Sequence, residues 1–362
     1  MNFKLKYISL VCFLIVSNSA ISQITSSKNS IAFNATNELS IDSVTFYVKN
    51  NSTDAIKIDS LVFFKTYSSY AFSSKFNRVT INAKDSAAVK IYFHPKHNIL
   101  HNSELLIITE PSAYSISIDI TGQGKYSKTY YNQTENKTED ALKAALKTTI
   151  TAGYVSLGYN SARDKMFMEF DNQKINGQGA SVNTLECVYT GRKAVGYTDR
   201  TDAQNSANFN TEHTFPQGFF NQDEPMRSDL YHLFPTDANA NNSRGNFPFG
   251  IASTPYQNDA TNFPSHLGSN NLYEPRDVHK GNVARAMMYF VIRYSDYANH
   301  FAPQENILRA WHNQYTPSEI EKKRNDAIAI LQKNRNPFID YPQFNERITK
   351  IIGTSNTLIV PS

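Results

Sequence analysis

Glu212 and His213 stand side by side in Asn210-Thr-Glu-His-Thr-Phe-Pro-Gln-Gly-Phe-Phe220. Together they offer a carboxylate oxygen for a hard metal ion and an imidazole that takes a proton from water near neutral pH. Downstream, Asp229-Leu-Tyr-His-Leu-Phe-Pro235 reads as a second strand, and Asp237-Ala-Asn-Ala-Asn-Asn-Ser-Arg244 as a short polar helix carrying the amide of Asn241. An oxygen ligand, a base and an amide in that order suit hydrolysis of a phosphodiester at a single metal ion.

Each residue also has a plainer role. His213 can be a hydrogen-bonded strand histidine, and Glu212 a solvated carboxylate. Neighbours on a strand point to opposite faces, so Glu212 and His213 serve one site only at a strand end or bend. Thr214-Phe215-Pro216 supplies a bend, because proline does not continue a central strand. On the same ground Pro235 is expected to stop the second strand. Thr236 is then expected to cap the helix that follows, with Asp237 and Asn241 four apart on one face. Asparagine is a poor interior helix residue. The residues alone leave open whether Asn241 turns a carbonyl to a metal or sits in a frayed, solvent-facing turn.

These elements sit in a chain of 362 residues, long enough for two domains. Residues 1–22 read as an export signal. Lys4 and Lys6 give a positive start, Ile8 to Val16 an apolar core too short to span a bilayer, and Ser17-Asn18-Ser19-Ala20 a cleavage region. Residues 24–125 read as an all-β sandwich, with strand-like runs at Ser43–Val48, Ile56–Phe64, Val79–Ile81, Ala88–Phe93, Leu105–Ile108 and Tyr114–Ile120. His94, His97 and His101 fall here and are expected to be solvated. A polar connector over 126–140 leads into a helix that Thr138 is placed to cap, with Leu142 and Leu146 on its apolar face. The second domain, 128–353, reads as mixed. It has strand-like runs at Lys165–Phe170 and Leu185–Tyr189, a long loop from Ala252 to Lys280, and helices over Val283–Tyr294 and Ser318–Lys333.

The second domain resembles the bacterial endonuclease I family, secreted or periplasmic nucleases of the ββα-metal (His-Me finger) type. The resemblance runs from about Tyr130 to Ile352. Beyond Glu212-His213 and Asn241-Asn-Ser-Arg-Gly-Asn246 it rests on Gly281-Asn-Val-Ala-Arg-Ala-Met-Met-Tyr289, Ala310-Trp-His312, Arg324-Asn325 and Asn334-Arg-Asn-Pro-Phe-Ile-Asp340. It implies that Glu212 and Asn241 hold the metal and that His213 is the general base. It also implies a nucleic-acid substrate, DNA with RNA open. Where family members carry a histidine after the Asp-Leu of the second strand, this chain has Tyr231, followed by His232. The phosphate-contacting arginine of some disulfide-bonded relatives has no clear counterpart, and Arg227 or Arg244 is the expected substitute. The first hundred residues look like the immunoglobulin-like modules appended to exported bacterial proteins. The expected fold class is therefore multidomain: an N-terminal all-β immunoglobulin-like sandwich, then an α+β nuclease domain with a ββα-metal motif.

Magnesium suits an oxygen-only donor set that keeps several waters, and calcium or manganese fits the same donors. Zinc is disfavoured because no His/Cys cluster has its ligand spacing. The net charge is +4. Without Lys4 and Lys6, 34 basic residues face 32 acidic ones, which excludes binding to nucleic acid by bulk charge alone. Cys187 is the one cysteine outside the leader, so no internal disulfide is expected, and it reads as a buried apolar residue. Asp277, His279 and Lys280 precede the helix with Arg285; the histidine and lysine can touch phosphates but more often such residues are solvated, and Trp311 and His312 sit near a helical end, where the indole reads as core. No obligate protein partner is implied. The rival reading is a non-enzymatic exported binding or adhesion protein with a degenerate nuclease domain, with Tyr231 as its best argument.

Overall fold

The structure is a computed structural model and describes residues 23–64, 69–253, 265–294 and 297–354. The expected leader at 1–22 and residues 254–264 of the expected 252–280 loop lie outside the described residues. The chain forms two compact units, one up to Pro95 plus Leu100–Gly124, the other Lys96–Ile99 plus everything from Lys125.

The first unit is mostly strand: β1 (Ile24–Ser26), β2 (Ser30–Asn37), β3 (Asp42–Asn50), β4 (Ile56–Phe63), β5 (Phe72–Ser74), β6 (Val79–Ile81), β7 (Ser86–Phe93), β8 (Leu100–Glu110) and β9 (Ile116–Lys125). They build a four-stranded sheet in the order β1-β3-β7-β5 and a five-stranded sheet in the order β2-β9-β8-β4-β6. Every second residue is buried where the strands are regular, as at Phe46 and Val48 in β3, and one apolar cluster draws on both sheets. Gly122 is required by packing, since a Cβ there would come within 2.7 Å of the Phe93 ring. Of the three histidines expected to be solvated, His94 is exposed. His101 is buried edge-on against Phe93, and His97, in the second unit, is buried beside Glu346.

The second unit mixes helices with short two-stranded sheets. Its elements are α1 (Glu139–Thr151), α2 (Tyr159–Lys165), β10 (Thr184–Glu186), β11 (Lys193–Val195), α3 (Arg200–Ala207), β12 (Phe209–His213), β13 (Leu233–Asp237), α4 (Ala238–Arg244), β14 (His266–Leu267), β15 (Tyr273–Glu274), α5 (Asp277–Tyr294), α6 (Ala298–Phe301), α7 (Glu305–Gln314), α8 (Glu319–Gln332) and α9 (Pro337–Asp340). Leu142, Leu146 and Ile150 of α1 recur every four residues and are buried. Thr138 precedes α1 without a side-chain cap bond. Helix α5 is buried on all sides and packs against α1, α7 and α9, which makes it the centre of the unit.

Several expected elements move. Lys165–Phe170 is not a strand: α2 runs into a π-helical turn over Met166–Phe170. Met166, Phe167 and Phe170 are buried at i, i+1 and i+4, a helical face rather than an alternation. Pro235 does not stop the second strand, which continues to Asp237. A two-stranded pair leaves alternate positions facing outward, where proline's missing N–H costs nothing. Asp237, not Thr236, caps α4 and accepts from the backbone N–H of Asn239 and Ala240. The 252–280 stretch holds the β14–β15 hairpin and the first turn of α5. The helix expected over Ser318–Lys333 is α8, with Ser318 as its cap.

Two core histidines bear on acid stability. His312 donates from Nε2 to the Pro342 carbonyl at 2.9 Å, and His300 stacks on Phe219 with ring centres 4.2 Å apart. Burial pulls both down to about 4. The unfolded chain takes up these protons near pH 6.5 while the fold refuses them until about pH 4, so stability falls as pH drops through that window. Each histidine contributes up to about 3 kcal/mol of the fall. Urea unfolding at pH 7 and pH 4.5 checks this, because His312→Gln is expected to flatten the dependence. An equal pH slope in the variant would remove His312 from the account.

Candidate active site

Strands β12 and β13 pair antiparallel, with Glu212 opposite Phe234 and His213 opposite Leu233. The first strand ends at His213, where the Thr214-Phe215-Pro216 bend begins, and α4 follows the second strand directly and packs on both. The pleat turns the two side chains to opposite faces, but His213 closes the strand and the bend begins beside it, the strand-end position in which both can serve one site.

On one face Glu212 is buried, 2% exposed. Its Oε1 accepts from the Tyr189 hydroxyl at 2.7 Å and lies 3.1 Å from Arg244 Nε, in an ion pair not aligned as a hydrogen bond. Neither contact uses Oε2. Burial pushes the Glu212 carboxyl above its usual range, opposed by the Arg244 charge and the Tyr189 hydroxyl. Asn241 and Arg244, three apart on α4, both turn toward β12. Asn241 Nδ2 donates to the Thr211 carbonyl at 3.2 Å, which leaves its Oδ1 without a partner.

On the other face His213 is 6% exposed. Its Nε2 lies 3.1 Å from the Arg227 carbonyl. A carbonyl only accepts, so Nε2 carries the proton and Nδ1 keeps its lone pair. Burial holds His213 well below the ordinary imidazole range, helped by His232 and by the charges of Arg227 and Arg163. The ring is therefore neutral at physiological pH. Its neighbours are Tyr159, His232 and Phe220, with ring centres 5.6, 5.5 and 6.5 Å away.

A buried polar network backs this face. Asp229 accepts from the hydroxyls of Tyr289 (2.9 Å) and Tyr294 (2.8 Å), from Arg293 Nη1 (2.6 Å) and from Gln332 Nε2 (3.1 Å). Burial alone would raise the Asp229 carboxyl, but Arg293, His232 and these hydrogen bonds outweigh it and hold it low. Asp229 also caps the turn that carries Tyr231 and His232. His232 donates from Nε2 to the Met226 carbonyl at 2.7 Å. Tyr231 points into the core, its hydroxyl 2.8 Å from the Asn334 carbonyl and 3.3 Å from that of Asn325.

Arg244 is placed otherwise than a phosphate contact requires. It is wholly buried, with Nη1 on the Gly245 carbonyl, Nη2 on the Thr214 carbonyl, and its guanidinium 4.6 Å from the Phe249 ring centre. Its work is to hold Glu212. Arg227 is half-buried and lies over Tyr159 at 4.2 Å. Lys280 is tied to Glu274 and Asp277, Arg285 to Glu321, and His279 is buried between Tyr189 and Phe234, so none of the three is presented to solvent as a free cation. Cys187 is buried, and its Sγ receives the backbone N–H of Asp237 and Thr190.

Sequence reading missed Tyr189, Tyr159 and Arg163. Tyr189 closes Leu185-Glu-Cys-Val-Tyr, and only the fold brings it to Glu212. Arg163 lies on α2, about fifty residues upstream of the Glu-His pair, with no motif to mark it. Among the described residues, no three His, Cys, Asp or Glu side chains converge as a metal cage.

The sequence pattern described as Endonuclease I matches residues 138–343. An extracellular ribonuclease of Bacillus subtilis (strain 168) is 30% identical over 238 residues, which cover 61% of this chain and 78% of that protein. An extracellular ribonuclease of Bacillus amyloliquefaciens is 28% identical over 243 residues, with the same shares covered. An extracellular deoxyribonuclease of Aeromonas hydrophila is 32% identical over 122 residues, 33% of this chain and 52% of that protein. The family match spans more than half of the chain and takes in β12, β13 and α4 with the residues just described; the chain belongs to the Endonuclease I family.

Proposed function

We propose that this protein is an exported, metal-dependent nuclease that hydrolyses phosphodiester bonds with little regard to sequence. In this reading β12, β13 and α4 are the ββα-metal unit, and the first unit is an immunoglobulin-like module. The observation that carries the reading is His213, neutral, with Nε2–H held by the Arg227 carbonyl and the Nδ1 lone pair free, at the end of the strand that bears Glu212. The named relatives support export and a nucleic-acid substrate; they include ribonucleases and a deoxyribonuclease, so both polymers are substrates to test. No helix among the described residues is long and apolar enough to cross a membrane.

The donors fit a divalent cation of the magnesium class. Glu212 is buried with Oε2 unengaged, and Asn241 is anchored through its nitrogen so that its oxygen is left over. One carboxylate and one amide leave room for the waters that magnesium retains. Bound there, such an ion supplies charge neutralisation at the phosphate. The chain's own residues do the rest. Tyr189 and Arg244 fix the Glu212 rotamer, and the Asn241 amide is oriented by the Thr211 carbonyl. His213 Nδ1 takes the proton of the attacking water, and the Arg227 carbonyl holds the ring in the tautomer that allows it. Tyr231 takes no part, its hydroxyl being committed to core carbonyls.

Purified protein incubated with plasmid DNA and with RNA is expected to cut in magnesium, to stop in EDTA, and to recover when magnesium is returned in excess. Cutting that persists in EDTA would overturn metal dependence. Binding without cutting in any divalent ion would favour the non-enzymatic reading.

A further inference from the structure

Arg163 and Arg227 are the two arginines among the described residues whose guanidinium groups meet neither a carboxylate nor a carbonyl oxygen. Arg163 has a single side-chain hydrogen bond, Nε to Thr211 Oγ1 at 3.3 Å, which leaves both Nη groups unengaged. The carboxylate next to it, Asp164, is taken by Arg200 at 2.6 Å. Arg227 makes no side-chain hydrogen bond, and its Nε is buried without a partner. Both guanidinium carbons lie over the ring of one residue, Tyr159, at 4.6 and 4.2 Å from its centre. The Tyr159 ring in turn is the neighbour of His213 at 5.6 Å.

Two like charges held together without a counter-ion are costly, and half-burial makes them more so. The aromatic platform orients them and offsets part of that cost. The missing component is an anion. A phosphate suits the place, because guanidinium presents paired N–H donors that match two oxygens of one phosphate group.

We infer that Arg163 and Arg227, carried on Tyr159, form a two-arginine clamp that holds one backbone phosphate of the substrate strand beside His213. Arg163 is the new member, contributed by α2 from outside the β12–β13–α4 unit. The inference rests on the nuclease reading for its substrate, though the clamp itself needs only phosphate. Its function is to bind and place: it keeps the strand against the base, while the proton transfer belongs to His213.

The counting of phosphates tests it. Binding of a labelled duplex is measured in EDTA across a salt series for wild type, Arg163→Gln, Arg227→Gln and the double variant. The slope of log affinity against log salt counts neutralised phosphates, not arginines. The double variant is expected to lower the slope by about one, and each single variant to weaken binding by about tenfold. The combined loss is expected to be less than the product of the two. Arg163→Lys is expected to keep the slope, because it keeps the charge. A slope reduced by about two with multiplying losses would show two separate phosphates and overturn the clamp. So would a wild-type slope and affinity in the double variant with plasmid cutting intact, which would leave the nuclease reading standing. Inorganic phosphate separates the two ideas further: it is expected to raise the melting temperature of wild type and not of the double variant. If wild type is protected in this way yet neither binds nor cuts nucleic acid, the clamp holds and the nuclease reading fails. If phosphate protects both proteins equally, the clamp is wrong.

Discussion

His213→Ala is expected to lower the rate of phosphodiester cleavage by about 10²–10⁴-fold, the range for deleting a general base. The ring is neutral because burial excludes the imidazolium, and its tautomer is set by the Arg227 carbonyl, which leaves the Nδ1 lone pair for the proton of water. His232 is close and holds the same tautomer, with its Nε2–H on the Met226 carbonyl, but it is 0% exposed, so its Nδ1 lone pair does not meet solvent. The fold is expected to survive, since His213 is not part of the Asp229 network. The check is a rate measured at saturating magnesium beside a circular-dichroism melt. A near-wild-type rate in a folded variant removes His213 from the mechanism.

Asp229→Ala is expected to destabilise the second unit by about 3–5 kcal/mol, the usual cost of breaking a buried ion pair on one side. The carboxylate is fully buried and takes four side-chain donors, one of them the charged Arg293, which is itself 5% exposed. Removing the carboxylate leaves that charge unanswered and the Tyr289 and Tyr294 hydroxyls without their acceptor. Against a total stability of about 5–15 kcal/mol this is a large share. Urea unfolding measures it. Arg293→Met made in the Asp229→Ala background is expected to recover part of the loss, because it removes the stranded charge. A double variant weaker than the sum of the singles would show that Arg293 packs rather than pairs.

Much of the fold was legible in the residues because it is written in short-range patterns. The alternation of β3, the four-residue spacing of Leu142 and Leu146, and the run that forms α8 each state their element locally. That Asn241 lies against the strand bearing Glu212 and His213 followed from their place in one strand–strand–helix run, while the residues alone left the role of Asn241 open. What failed was long-range or ambiguous. Met166–Phe170 is apolar and short, so strand and helix fit it equally until packing decides. Arg244 looked like a cation for substrate because its sequence neighbours are polar, and only the fold shows that it is buried against Glu212. Tyr189 and Arg163 reach the site across the fold, and nothing near them in the chain says so.

The pairing of Glu212 with Arg244 also bears on the order in which the protein matures. A cage of several carboxylates repels itself when empty and so makes folding wait for its ion. Here the lone carboxylate already has an internal counter-charge and a tyrosine hydroxyl, so the pocket is electrically closed as soon as the chain has folded. On the proposed metal-dependent reading, assembly and activation are therefore separate events: the fold forms without the divalent ion, and activity toward nucleic acid begins only where the ion is abundant.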